Sequence, residues 1–158
     1  MDFIKKYGLR IIFVQALVAT LGSLYYGRYG DPVVNLMSGD LFNPANGYSP
    51  CTLCRYARIL MYPLTLISLV GIIKKSYDAV DYMIIPVVLG ILLELYHYSL
   101  QKFPISTSAF CTKANPCNAL QVDYFGFITI PFLCLIAFVV IAIVILLIKK
   151  ANKPWSID

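Results

Sequence analysis

The residues able to do chemistry here are cysteines, and four of the five fall into two spaced pairs. The first is Cys51-Thr52-Leu53-Cys54, followed by Arg55 and Arg58. The second is Cys111-Thr112-Lys113-Ala114-Asn115-Pro116-Cys117. Ser49 suits an N-cap and Pro50 a first helical position, so the spacing predicts that a helix opens at the first pair. Both thiols then lie in the first turn, where free N–H groups and the helix dipole favour a thiolate. A thiolate is the nucleophile of thiol–disulfide exchange. Cys51, Cys54 and Arg58 are spaced i, i+3, i+7 and share one helix face. A structural staple is the plain alternative, but so small a ring gains little from loop closure. A zinc half-site is another, and no histidine lies near the pair in the chain. For the second pair, bonding within its loop or between the loops is open, since four cysteines allow three connectivities.

These residues are set in a chain of 158 residues that is 59% hydrophobic and only 13% charged. That composition belongs to a membrane protein rather than a soluble domain. Four apolar runs, 9–27, 50–73, 82–100 and 125–148, are each long enough to cross a bilayer. They predict one integral membrane domain, an all-α four-helix bundle with connecting loops 28–49 and 101–124. Pro63, Pro86 and Pro131 fall inside the runs, where membrane helices tolerate proline. The first run lacks a small-residue cleavage site and reads as a retained span. The net charge of +5 does not indicate a nucleic-acid partner, because the basic residues flank the apolar runs. Lys5, Lys6, Arg10, Lys74, Lys75, Lys149, Lys150 and Lys153 fall at one side. The positive-inside bias therefore places both termini in the cytoplasm and both loops outside. Tyr25, Tyr26, Tyr29, Tyr96, Tyr98 and Tyr124 lie near the same outer interface, as an aromatic belt does.

Ionisable side chains within a span are costly and point to function. Glu94 and His97 lie three residues apart on the third run, at a depth similar to that of Arg58 on the second. An Arg58–Glu94 ion pair locking the bundle, with His97 wet at the interface, is the bland expectation. The sharper one is the polar end of a pocket for a membrane-soluble electron carrier. Glu-x-x-His is also half of a di-iron motif, but its second copy is missing. Cys134, inside the fourth run, reads as a small hydrophobe. Loop 28–49 reads as a solvated insertion or as a modifier of partner docking.

Pro50-Cys51-Thr52-Leu53-Cys54, Arg58-Ile59-Leu60-Met61-Tyr62-Pro63, His97-Tyr98, Gln101-Lys102, Pro116-Cys117 and 125–132 resemble the DsbB/BdbC family of disulfide-bond formation proteins. So does Leu21-Gly22-Ser23-Leu24-Tyr25. The resemblance is to the shorter Gram-positive members. It implies a bacterial cell-membrane enzyme that reoxidises an extracytoplasmic thioredoxin-like (DsbA-like) thiol oxidase. Electrons would pass to a membrane quinone, ubiquinone or menaquinone, supporting disulfide formation in exported proteins. Carried over by position, Cys111 and Cys117 exchange with the partner, with Cys111 forming the mixed disulfide. Cys51 and Cys54 stand next to the quinone, Cys54 donates to the ring, and Arg58 and His97 bind it. Ala57 departs from the Glu or Gln common before the arginine. A non-catalytic four-span scaffold and a vitamin K epoxide reductase-like quinone reductase are the alternatives. Neither the tetraspanin CCG signature nor a late C-x-x-C is present. Metal is not expected.

Overall fold

In a computed structural model of the chain, residues 2–48, 50–103, 117, 123 and 125–152 are described. Helix α1 spans Asp2–Tyr29, α2 Pro32–Ser38, α3 Thr52–Lys74, α4 Ala79–Lys102 and α5 Ile130–Asn152, with a short 3-10 turn at Pro44–Asn46. The four long helices are apolar enough to cross a membrane over Tyr7–Tyr29, Thr52–Lys74, Ala79–Lys102 and Ile130–Ala151. They form a closed ring in which α1 packs on α3 and α5, and α4 packs on the same two. The protein is an all-α, multi-pass membrane bundle.

The ring closes because each helix carries an inward seam. On α4 the buried residues are Val80, Met83, Val87, Gly90, Glu94 and His97; on α3 they are Leu53, Ala57, Met61, Leu64, Ser68 and Gly71. Alternating three- and four-residue steps keep such a stripe facing its neighbours, as in a left-handed bundle. The opposite faces expose Val18, Leu21, Ile59, Leu66, Ile85, Leu92 and Leu146, which suits a lipid surround. Lipid tails are as apolar as the core, so close approach of backbones must hold the helices together. Gly90 supplies one such approach. A Cβ there would press on the ring of Phe138, which is fully buried at the bundle centre.

The observed ends differ from the apolar runs for local reasons. The fourth helix begins at Ile130, not near 125, because Phe125 (φ 57°) and Gly126 (φ 79°) turn the chain in the left-handed region. Lys102 at the end of α4 donates to the Gly126 carbonyl, and Tyr98 donates to the Phe127 carbonyl at 3.4 Å. Pro131 consequently sits in the first turn of α5, where its missing N–H costs nothing, while Pro63 and Pro86 do lie inside α3 and α4. The 28–48 segment is not a solvated coil. Asp31 caps α2 by accepting from Val33 N at 2.8 Å. Buried Asn35 donates to the Tyr29 carbonyl and accepts from Asn46 Nδ2. Tyr25 and Tyr29 lie tilted against one another, and each meets Phe42 edge to face.

Overpacking the Gly90–Phe138 contact should cost about 1–3 kcal/mol. Gly90→Ala is therefore expected to lower the melting temperature in detergent by several degrees. Gly22→Ala, where nothing lies within 4 Å of the new methyl, is expected to leave it unchanged or higher. Equal melting temperatures for the two variants would contradict this packing.

Candidate functional site

The site is built at the start of α3. The helix opens at Thr52, and Cys51 itself is the N-cap, with extended backbone (φ −66°, ψ 169°). This corrects the expectation that Ser49 caps the helix and Pro50 leads it; Ser49 lies outside the described residues. The Cys51 Sγ accepts from the Cys54 backbone N–H at 3.4 Å, the role a Ser or Asp oxygen plays at other helix starts. The two sulfurs stand 3.1 Å apart, within hydrogen-bonding distance of one another. Both cysteines are free thiols.

The third neighbour of Cys51 comes from α4. His97 Nε2 lies 3.6 Å from the Cys51 Sγ, although 46 residues separate the two in the chain. Burial of His97 to 1% exposure overturns the expectation of a wet interfacial histidine. On its far side, His97 Nδ1 faces Glu94 Oε2 at 3.7 Å. The expected Arg58–Glu94 ion pair does not form. Arg58 turns to α1 instead, donating from Nε to Ser23 Oγ and from Nη2 to the Ser23 carbonyl, each at 2.7 Å. Gly27 admits it, since a Cβ there would stand 2.7 Å from Nη2.

Cys51, which precedes the spanning segment, has its thiol pulled down to about 4. The hydrogen bond from Cys54 is the chief cause; burial opposes it, and the hydrogen bond from His97 adds to it. Cys51, Cys54 and His97 offer three donor atoms within 4.8 Å of one another, a possible metal trio by type. Two thiolates on one tetrahedral zinc, at bonds of about 2.3 Å, stand roughly 3.8 Å apart. The observed 3.1 Å fits a shared proton better.

Two surfaces meet at this pair. Cys51 and Leu53 pack with Cys117, and Cys54 and Leu100 lie against them. Cys117 is disulfide-bonded, while Cys51, Cys54 and Cys134 are free, so its bond is not to the first pair. Cys111 lies outside the described residues. On the other side, Cys54 but not Cys51 lines a cleft among the four long helices. Its empty space is about 620 Å³, including the part open to the outside. Apolar walls come from Ala19, Met61, Ile130 and Phe138, and the polar end from Arg58, Glu94 and His97. Cys134 also lines it. Gly27, whose role comes only from contact with Arg58, carries no sequence signal of its own, and Ser23 lies in a stretch that carries the resemblance without any sign of its bond to Arg58.

The family model for disulfide bond formation protein DsbB matches residues 32–148. The chain belongs to the DsbB family. Among its relatives, the probable disulfide formation protein C of Halalkalibacterium halodurans is 41% identical over 87% of this chain and 90% of its own. The disulfide bond formation protein C of Bacillus subtilis is 38% identical over 89% and 94%. The probable disulfide formation protein of Oceanobacillus iheyensis is 40% identical over 90% and 88%. No solved structure matches. The resemblance read from the cysteine motifs is thereby borne out, and this DsbB-family chain is a membrane protein of disulfide formation.

A depressed acid is ionised above its own pKa, so the Cys51 thiolate should persist as pH falls and vanish only near pH 4. In the reduced protein, thiolate absorbance near 240 nm is expected to be present at pH 6 and lost by about pH 3. A first thiol titrating only at pH 8–9 would contradict the geometry around Cys51.

Proposed function

We propose that the protein reoxidises a thioredoxin-like, DsbA-like thiol oxidase outside the cytoplasm and passes the electrons to a membrane quinone. The observation that carries this reading is the division of labour in the first pair. Cys51 shares a buried cluster with Cys117, against which Cys54 also packs, and of the two only Cys54 lines the cleft with Arg58.

The partner's thiolate attacks the second pair, forming a mixed disulfide at Cys111 and releasing Cys117 as a thiolate. Cys117 then attacks the Cys51 sulfur of an oxidised first pair, and Cys54 leaves as the thiolate. One disulfide is broken and one formed at each exchange, so electrons move inward as sulfur pairs. Cys54 is thereby left reduced in the cleft wall. The two ends of the bundle support the orientation. The cysteines share one end with Lys102, while Lys74 and Lys149 mark the other, where Lys149 pairs with Asp81 at 2.8 Å. Positive-inside bias sets that second end in the cytoplasm of a bacterial cell membrane.

The cleft suits a quinone by its chemistry: apolar and aromatic walls with few convergent polar groups. Arg58 would hold a carbonyl oxygen, its planar fork already steadied by Ser23, with His97 beside it. When bound, a quinone supplies a two-electron acceptor. Arg58, as the cation of a low-dielectric cleft, favours negative charge developing on an oxygen placed against it. His97 and Glu94 keep the neighbouring wall polar.

The test is quinone reduction by purified protein in detergent, with a reduced thioredoxin-like oxidase as donor. Donor-dependent quinone loss is expected for the parent, and at least a hundredfold less for Cys54→Ser, on the order of what loss of a nucleophile costs. Arg58→Ala is expected to weaken quinone binding while leaving Cys51–Cys54 exchange intact. Full turnover in Cys54→Ser would sink the reading. Inert disulfides with every donor would leave a structural four-span scaffold.

A further inference from the structure

An ionisable group on a membrane helix needs a reason to be there, and Glu94 has no role in the exchange chemistry above. It sits on the inward seam of α4 at 1% exposure. Arg58, the strong cation lining the same cleft, is committed to Ser23. What Glu94 does face is His97: Oε2 to Nδ1 is 3.7 Å, and neither atom has a hydrogen-bond partner. The other ring nitrogen of His97, Nε2, faces Cys51 at 3.6 Å. Carboxylate, imidazole and thiol thus stand in line, with Glu94 and His97 one helical turn apart on α4 and Cys51 at the cap of α3. Contacts of this kind are often long before a reaction and tighten within it.

We propose that Glu94 is a positioning residue that fixes the tautomer and charge of His97, so that Nε2 takes the proton of the Cys51 thiol in the reduced pair. The transfer breaks the Cys51 S–H bond and forms an N–H bond at Nε2, with no electrons moved. The products are a thiolate and an imidazolium whose Nδ1–H faces the Glu94 carboxylate. This order follows the logic of other activated nucleophiles, in which a third group orients the base. The thiolate so made is held by the Cys54 thiol and by the Cys54 backbone N–H. Among the described residues, the remaining titratable groups around the line are Cys54 and Arg58 on α3, Cys134 on α5, and Tyr26, Tyr48 and Tyr62 in the cleft wall. None of these is a carboxylate, so Glu94 has no substitute there. The proposal rests on the redox reading of the first pair and adds to it how that pair is kept ionised.

His97 is the chain's one histidine, which makes the test direct. The full chain with Cys111, Cys117 and Cys134 replaced by Ser is reduced in detergent. Thiolate absorbance is then followed against pH, beside the 15N spectrum of labelled histidine. In the parent, Nδ1 is expected to stay protonated from pH 5 to 8. Glu94→Gln keeps an acceptor for that proton but removes the charge, and should raise the thiolate midpoint by about one pH unit or more. Glu94→Leu should raise it and also release the tautomer, while Glu94→Asp should restore part of the shift. A carboxylate that merely packs would change the melting temperature and leave both readouts alone. An unmoved midpoint in Glu94→Gln overturns the proposal, even if Glu94→Leu fails to fold. Neither readout needs an acceptor or a partner. Lost turnover with an intact titration would therefore count against the proposed function, and the converse against Glu94 alone.

Discussion

The structure depends on a sulfur that caps a helix. Cys51 holds the first turn of α3 through the Cys54 N–H, so it cannot move without loosening that turn. A helix start leaves several N–H groups without partners, and at a membrane surface water alone is a poor remedy. Supplying a sulfur there gives the helix its beginning and gives the sulfur a reason to ionise. Charge-assisted hydrogen bonds of this kind are roughly twice as strong as neutral ones. Local structure and chemistry at this position are one interaction.

The bundle then has to bring partners to that sulfur from both sides. It does so by letting the inward seam of α4 change character along its length. Val80, Met83 and Val87 build an apolar core with Met61, Leu64 and Phe138, and about two to three turns further along the same stripe delivers Glu94 and His97. Burying such groups without partners is expensive. Here Glu94 stands 3.7 Å from His97 and His97 3.6 Å from Cys51, while Arg58 is drawn away by Ser23 on α1. The cleft keeps its one strong cation at a fixed place and its carboxylate beside the histidine. Two sulfurs three residues apart in the chain consequently differ in surroundings: both adjoin the cluster that holds Cys117, but of the two only Cys54 also lines the cleft.

Much of this was legible in the sequence. Four apolar runs, the lysines at their ends and the C-x-x-C at a helix start sufficed for the bundle and for the site's location. That Glu94 and His97 share a helix face followed from their spacing, whereas the full burial of His97 did not. What failed was pairing across helices. Opposite charge and equal depth suggested Arg58–Glu94, whereas the hydrogen bonds of Ser23 and the gap at Gly27 hold the guanidinium against α1. A histidine 46 residues away proved to be the neighbour of Cys51, because contact between helices leaves no mark in local spacing. The ends of the fourth span were misplaced for a similar reason. Phe125 and Phe127 are apolar enough for a helix, but the left-handed turn at Phe125 and Gly126 decides otherwise. In the 28–48 segment, the Asp31 cap and the Asn35 contacts order a stretch whose composition reads as loop.

The central claim is that the two sulfurs of the first pair have separate neighbours, and disulfide mapping tests it most directly. With Cys111→Ser in each, one variant carries Cys54→Ser and the other Cys51→Ser. Each is mildly oxidised and its bonds are located by mass spectrometry. Packing of Cys51 on Cys117 predicts a Cys51–Cys117 bond in high yield in the first variant and little Cys54–Cys117 bond in the second. Equal yields, or a preference for Cys54, would contradict the account.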